Sequence, residues 1–291
     1  KWRIRDVLDN SQFLKKDDYD LAIILPNSFE SAMTSYLSRI PRRIGYNKDL
    51  RGLLLTDPVA VPEWKARRHE VFYYLNLVSE IEKRIIGSDT VGQTVPDISL
   101  DVSSERRNAA ANVLADLADG TSGPIIALGV GSTNSRAKRW PANYYAQLAN
   151  RLSTELNAAI VLIGSADDGE VAAEVATKSG VNTIDLSGKT TIAEAVALLA
   201  ELDVLVANDM GLAHIAPAVG TQTVVIFGPT DPTTTRPYSD NADILGYNVE
   251  CSPCMLRDCP IDHRCMTNVT VANVFDSVVA ALYPEENEQS T

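Results

Sequence analysis

The stretch DVLVANDMGLAHIAPAVGTQTVVIFG, residues 203–228, places a helical segment between two apolar strands. The first strand is apolar from Val204 to Ala207 and the second from Val224 to Phe227, without the alternation that marks a half-exposed strand. Strands that are apolar on both faces are typical of parallel sheets covered by helices on both sides. The stretch therefore predicts one β–α–β unit of a doubly wound α/β domain.

The same alternation extends through the C-terminal part of the chain. Strands are predicted at 124–131, 158–164, 182–188, 203–209 and 221–228, and helices at 141–157, 167–180, 191–202 and 211–220. Earlier in the chain, the pattern predicts a strand, a helix and a short strand near Ile44, followed by a helix over 67–81. We expect two Rossmann-like domains, 1–104 and 105–291, with a helix over 104–117 opening the second.

Composition narrows the functional classes. The 291-residue chain carries a formal net charge of -12, which argues against unspecific nucleic-acid binding. It has no apolar run of about 18 residues, the length a membrane span requires. The four cysteines lie between Cys251 and Cys265, whereas a secreted disulfide framework would spread them, so a reducing cytoplasm is expected. Because the chain opens on Lys1, the N-terminal domain is expected to be truncated at its start.

Polar residues gather in the segments that follow the predicted strands, where an open parallel sheet binds its ligands. Gly129–Pro141 combines glycines, hydroxyls and the cation of Lys138 ahead of a helix, which suits phosphate because helix N-termini attract anions. After a later strand, Asp209 precedes Gly211, which lets a ligand approach the backbone, and His214 follows about one helical turn on. The alternatives are a solvated loop and a histidine buried in the core.

Three stretches together resemble a known family: AKRWPANYYAQLA (137–149), NDMGLAHIAPAVGTQTVVIFGPTDPTTTRPY (208–238) and CSPCMLRDCPIDHRCM (251–266). They are similar to the ADP-heptose:lipopolysaccharide heptosyltransferases, and most similar to the heptosyltransferase II branch. The likeness covers about residues 125–283 and continues more weakly into 42–58.

The resemblance implies a GT-B fold, in which two Rossmann-like domains face each other across a cleft and the C-terminal domain holds a nucleotide sugar. Thr133 and Lys138 are then expected to contact the ADP phosphates, and Asp168 or Glu170 the ribose. The family usually has Ser or Thr where Met210 stands, which leaves the backbone N–H of that residue for the contact. The whole expected donor site is Ser132, Thr133, Lys138, Asp168, Glu170, Asp209, Met210, Gly211 and His214.

The resemblance also implies an inverting, metal-independent enzyme that moves heptose from ADP-heptose to a heptosyl or Kdo residue of the lipopolysaccharide inner core. Lys138 is expected to stabilise the charge on departing ADP. The family's base is an aspartate in a Gly-Asp step, which this sequence lacks, so we expect it on a preceding segment. The alternatives are a related nucleotide-sugar transferase or epimerase with another donor, or a donor-binding protein without turnover.

A phosphorylated, lipid-linked acceptor is expected to meet a basic cluster in the N-terminal domain, unless that cluster is merely solvated. Its members are Arg42, Arg43, Lys48 and Arg51. An enzyme with such an acceptor is expected in the cytoplasm, in peripheral contact with the inner face of the inner membrane, without a nucleic-acid partner.

The cysteine cluster has the spacing C-x2-C-x4-C-x5-C, formed by Cys251, Cys254, Cys259 and Cys265. Thiolates this close together are candidates for a structural zinc site or an iron–sulfur cluster. The paired C-x2-C motifs of a zinc ribbon are missing, however. Reduced cysteines that pack a loop, or one labile disulfide, are the alternatives, and no metal or cofactor is expected to be required for transfer.

Overall fold

The computed structural model describes residues 4–117, 122–132 and 135–284 of the chain. The chain folds as two compact units that divide between Pro96 and Asp97. The boundary expected from the sequence lay after residue 104. Residues 97–104 belong to the second unit instead, where the backbone N–H of Leu100 donates to the carbonyl of Ala218 at 2.7 Å.

The first unit is a small α/β layer structure with three parallel strands in the order β1-β2-β3. Its elements are α1 (Ile4–Leu14), β1 (Leu21–Ile24), α2 (Phe29–Leu37), β2 (Arg42–Tyr46), β3 (Asp57–Val59) and α3 (Glu70–Ile85). The predicted strand, helix, short strand and helix are confirmed as β1, α2, β2 and α3. The sequence analysis missed α1 and β3. β3 spans only three residues and contains Pro58, so it has no strand pattern to recognise.

The core of the first unit joins β2 to α3. The rings of Tyr46 and Tyr73 stack with centroids 4.0 Å apart, and the Tyr46 hydroxyl donates to the carbonyl of Tyr73 at 2.6 Å. Ile44 and Leu77 belong to the same buried cluster. Because Ile44 and Tyr46 are two residues apart on β2, they share the face that α3 covers.

The second unit continues the alternation of strand and helix from Ser104 to Leu282. Its elements are α4 (Ser104–Leu117), β4 (Ile125–Gly129), α5 (Ala142–Leu156), β5 (Ala159–Leu162), α6 (Gly169–Ser179), β6 (Thr183–Asp185), α7 (Ile192–Leu199), β7 (Val204–Asn208), α8 (Gly211–Ala218), β8 (Gln222–Phe227), α9 (Pro232–Thr235), β9 (Ala242–Gly246), α10 (Arg264–Thr267) and α11 (Val271–Leu282). A 3₁₀ turn at Arg136–Lys138 interrupts the loop between β4 and α5.

The six strands of the second unit are all parallel and run in the order β6-β5-β4-β7-β8-β9. The first strand, β4, thus lies in the middle. The chain winds outward from it to β6, then returns to β7 and winds the other way. This is the Rossmann strand order, and its switch point lies between β4 and β7, where Gly129 pairs with Ala207. The crevice at that point is where such sheets hold their ligands.

Helices cover both faces of the larger sheet, as the apolar strands predict. One buried cluster joins the sheet to α5, α6 and α11, and the other joins it to α4, α7 and α8. The doubly wound α/β class is confirmed, with five predicted strands present as β4 to β8. The sequence analysis did not predict β9 and α11. β9 is a half-exposed edge strand that carries Asp243, so it lacks the continuous apolar run of the others.

Leu148 tests the packing of α5 on the sheet. It is fully buried, so Leu148→Ala is expected to lower the free energy of unfolding by about 2–5 kcal/mol through lost burial and the cavity left behind. Urea denaturation followed by circular dichroism measures the change. Ile192→Ala, at a residue 81% exposed, is the control and is expected to change stability by less than about 0.5 kcal/mol. Equal losses in the two variants would contradict this packing.

Candidate functional site

The switch point brings together a cation from one loop and a carboxylate from the next. Lys138 follows β4 and Asp209 follows β7, and the two strands are neighbours in the sheet. The Nζ atom of Lys138 lies 2.7 Å from Oδ2 of Asp209. Residues 71 positions apart in the sequence therefore form the ion pair at the centre of the candidate site.

Asp209 is the most constrained group of this site. Its side chain is 6% exposed, and Oδ2 also accepts a hydrogen bond from the hydroxyl of Thr230 at 2.7 Å. Burial works to raise the pKa of this carboxyl, but the interactions with His214, Lys138 and Thr230 outweigh it, so the pKa lies below its usual range. At 3.9 Å, Nε2 of His214 lies outside hydrogen-bond distance, so Lys138 and Thr230 dominate.

The helix that follows Asp209 presents its N-terminus to the same crevice. Met210 is the N-cap residue of α8, and its side chain makes no capping hydrogen bond. A Cβ on Gly211 would stand in open space, so a ligand can approach the backbone there. The side chain of His214 is 44% exposed and stands beside the carboxylate rather than inside the core. The start of α8 therefore offers N–H groups to an anion.

Asn208, which the sequence analysis read only as the end of a strand, ties the two loops together. It is fully buried, and its Oδ1 accepts from the backbone N–H of Trp140 at 2.9 Å. Its Nδ2 donates to the carbonyls of Val130 and Gly131 at 3.2 and 2.9 Å. Because one amide satisfies three backbone groups, it ties Val130 and Gly131, just after β4, to Trp140, just before α5. A polar residue at the end of an apolar strand is the signal that could have revealed it.

The two acidic candidates near α6 lie in different environments. Asp168 is fully buried, where its Oδ2 accepts from the N–H and hydroxyl of Ser165, and Oδ1 lies 3.5 Å from Arg139. Its carboxylate thus serves as a cap for the turn before α6. Glu170, in the first turn of α6, is exposed.

Of the two hydroxyl candidates after β4, the structure places one. Ser132 is buried, at 5% exposure. Thr133 lies outside the described residues.

The structure does not bring the four expected acceptor-binding cations together. Arg42 and Arg43 begin β2, whereas Lys48 follows the other end of that strand and is exposed. Arg42 pairs with Asp57, 3.4 Å away, and Nε of Arg43 donates to the Leu54 carbonyl at 2.7 Å.

The expectation for Arg51 requires a correction. This residue is completely buried, and its guanidinium donates to the backbone carbonyls of Tyr46 and Pro26. Burial lowers its pKa. Arg51 therefore holds the ends of β1 and β2 in place and does not belong to an exposed basic cluster.

The four cysteines are free thiols that differ in exposure. Cys251 and Cys254 are exposed, Cys259 is partly buried and Cys265 is buried. Burial raises the pKa of Cys265, and the neighbouring cysteines raise it further. Within 4–117, 122–132 and 135–284, no group of three or more His, Cys, Asp or Glu side chains is arranged to hold a metal ion.

The strand order and the paired charges at the switch point define an α/β protein with a site suited to a nucleotide. The profile of glycosyltransferase family 9 (heptosyltransferase) matches residues 7–264. The chain belongs to this family. Within the part of the chain that the structure describes, no helix has the length and apolar character to cross a bilayer.

Relatives with similar sequences and structures are named as heptosyltransferases as well. Lipooligosaccharide heptosyltransferase 2 of Haemophilus influenzae is 33% identical over 79% of this chain and 66% of its own length. Lipopolysaccharide heptosyltransferase 2 of Escherichia coli is 31% identical over 94% of this chain and 78% of its own length. The solved structure of E. coli ADP-heptose lipopolysaccharide heptosyltransferase II has a TM-score of 0.77 at 29% identity, and the match covers 97% of this chain and 82% of that one. The GT-B class expected from the resemblance is confirmed.

Removing the charge of Asp209 is expected to alter the pH dependence of stability. Because its pKa is lowered in the folded state, its contribution is present above the unfolded pKa of about 3.9 and disappears as pH falls through the folded value. Asp209→Asn is therefore expected to cost about 1–2 kcal/mol at pH 7, discounted because Lys138 is partly exposed, and progressively less in acid. Thermal melts between pH 2 and 7 test this. A deficit that grew in acid would contradict it.

Asn208→Ala is expected to leave three buried backbone groups without partners. Each unsatisfied group carries a desolvation penalty, so we expect a loss of about 2–4 kcal/mol in the free energy of unfolding. Urea denaturation measures the loss. Asn182→Ala, at an exposed residue of the same unit, is the matched control and is expected to stay within about 0.5 kcal/mol of the unmodified chain. If Asn208→Ala also lowered the free energy of unfolding by no more than about 0.5 kcal/mol, Asn208 would not hold these backbone groups as described.

Proposed function

We propose that this protein is an inverting glycosyltransferase that moves heptose from ADP-heptose to a heptosyl or Kdo residue of the lipopolysaccharide inner core. The contact between Lys138 and Asp209 at the switch point carries the proposal, because it sets a cation where a Rossmann sheet holds phosphate. The names of the relatives, lipopolysaccharide heptosyltransferase 2 and ADP-heptose heptosyltransferase II, support this choice of donor and acceptor.

The donor diphosphate is proposed to lie between Lys138 and the start of α8. The Lys138 side chain is 27% exposed, and its Nζ is held by Asp209 at 2.7 Å. Gly211 leaves space for close approach, and the uncapped N–H groups beside it complement a negative charge. Asp209 thus aims the ammonium group.

In the transfer step, the acceptor hydroxyl oxygen forms a bond to the anomeric carbon of heptose from the face opposite ADP. The bond between that carbon and the β-phosphate oxygen breaks, ADP departs with the electron pair, and the hydroxyl proton passes to a general base. Charge grows on the phosphate oxygen as the bond breaks. Lys138 and the N-terminus of α8 are proposed to stabilise it, so their effect is expected to be larger in the transition state than in the bound substrate.

The other proposed binding residues are chosen by the solvent exposure of their side chains. Glu170 is proposed to meet the ribose, because it is exposed whereas the Asp168 carboxylate is buried in its cap. His214 is proposed to reach the sugar or the phosphates, since it is half-exposed beside Asp209. In the first unit, Lys48 is the exposed member of the expected cations and is proposed to meet the anionic acceptor. Because that acceptor is lipid-linked, we place the enzyme at the cytoplasmic face of the inner membrane.

Lys138→Ala tests the donor site directly. It is expected to weaken ADP binding at least about tenfold and to lower the transfer rate more, since a charge-stabilising contact is lost. Calorimetry with ADP and a transfer assay with ADP-heptose and a truncated core acceptor, both on the full-length protein, give the two numbers. Lys178→Ala is the control, because Lys178 forms an exposed pair with Glu174 on α6. If Lys138→Ala bound ADP as tightly as the unmodified protein, Lys138 would not be a phosphate ligand.

Donor identity is tested by comparing ADP-heptose with other nucleotide sugars in the same calorimeter. Tighter binding of ADP-heptose than of UDP-sugars is the expected result. Preference for another donor would favour a related transferase or an epimerase, and binding of ADP-heptose without transfer by the full-length protein would favour a donor-binding protein.

A further inference from the structure

The segment Cys251–Met266, here called the cysteine segment, packs against two loops of the proposed donor site. The hydroxyl of Ser252 donates to the carbonyl of Gly228, and the N–H of Met255 donates to the carbonyl of Pro229 at 2.8 Å. These contacts hold the loop that leads to Thr230, whose hydroxyl reaches Asp209. The cysteine segment thus supports one side of the Asp209 network.

The same segment also holds the turn that carries Lys138. The N–H of Ala137 donates to the carbonyl of Arg257 at 2.9 Å, and the carbonyl of Ala137 lies 2.5 Å from Nε2 of His263. A carbonyl oxygen only accepts, so Nε2 carries the proton and donates. Ala137 is 2% exposed and directly precedes Lys138. Both polar backbone groups of the residue before the phosphate-binding cation are therefore held from outside its own loop.

The remaining contacts between the segment and the turn differ in strength. The hydroxyl of Ser135 lies 3.3 and 3.2 Å from the carbonyls of Leu256 and Arg257. Arg136 pairs with Asp258 at 2.7 Å, but their side chains are 78% and 60% exposed, and such pairs contribute little. The imidazole contact is short, partly buried and directed at the residue next to Lys138, so it restricts the turn most directly.

We propose that His263 is a positioning residue for Lys138. By donating to the Ala137 carbonyl, it holds the turn so that Nζ of Lys138 reaches both Asp209 and the donor diphosphate. This inference rests on the proposed function, because it concerns Lys138 as the phosphate ligand. Loss of the imidazole leaves the Ala137 N–H bonded to Arg257, so the expected defect is a misplaced cation in a folded unit. A displacement of about 1 Å at such a group can cost about a hundredfold in rate.

The test compares His263→Ala and His263→Gln in the full-length protein. Ala is expected to raise the Kd for ADP and the KM for ADP-heptose roughly tenfold, with the KM for the acceptor unchanged. Gln keeps an N–H donor on a side chain of similar reach and is expected to restore most of the affinity. Asp262→Asn is the matched control, because that exposed carboxylate pairs with Arg264 rather than with the turn.

A double-mutant cycle with Lys138→Ala separates positioning from general destabilisation. If His263 acts through Lys138, adding His263→Ala to Lys138→Ala is expected to change the Kd for ADP by less than about twofold. A merely structural role would weaken both backgrounds equally. Thermal melts check folding, and if His263→Ala fails to fold, the cycle is run with His263→Leu.

The outcomes distinguish the inference from the function on which it rests. Unmodified protein that binds ADP, with Lys138→Ala weakened and His263→Ala unaffected, would overturn the positioning role alone. Equal effects of His263→Ala in both backgrounds would also overturn it. Unmodified full-length protein that does not bind ADP would overturn the proposed function as well.

Discussion

A buried carboxylate at the end of β7 is the constraint on which the candidate site depends. Asp209 is almost completely removed from water, and an ionised group in that position requires partners. Lys138 comes from the loop after β4, and Thr230 comes from the loop after β8. The need to pair one charge therefore gathers three loops of the sheet at its switch point, where the strand order already opens a crevice.

Neutral contacts support this charged centre. Asn208 binds three backbone groups of the β4–α5 loop, and Gly131 in that loop packs so closely on Asp168 that a Cβ would collide with its carboxylate. The cysteine segment holds Ala137 from the other side. Residues on both sides of Lys138 are thus held by other parts of the chain, which suits the proposed binding of a diphosphate. Preorganisation of this kind is what stabilises a developing charge efficiently.

The acidic chain and its proposed phosphate-binding role are compatible because the relevant charge is local. A formal net charge of -12 disfavours unspecific contact with polyanions, whereas the diphosphate is proposed to meet only Lys138 and the backbone N–H groups at the start of α8. In the first unit, by contrast, the expected local concentration of charge is not formed. Four basic residues close in sequence were expected to act together, but they were distributed between the two ends of β2 and a buried site beneath Gly45.

The sequence by itself determined the α/β class, five of the six strands of the larger sheet, and the loops in which Lys138 and Asp209 lie. It could do so because apolar strands and polar strand ends are local patterns. Local patterns also carried the family resemblance, which the profile match over residues 7–264 confirmed.

Only the tertiary structure decided which polar residues are exposed and which are buried and hold the fold. Arg51 and Asp168 have the chemistry of binding residues, but packing buries both. Asn208 has only a weak local signature, as a polar residue at the end of an apolar strand, and His263 has none, yet they bind backbone groups 68 to 126 positions away. Burial and long-range hydrogen bonding depend on which elements meet in space, and that is not encoded in the spacing of neighbouring residues.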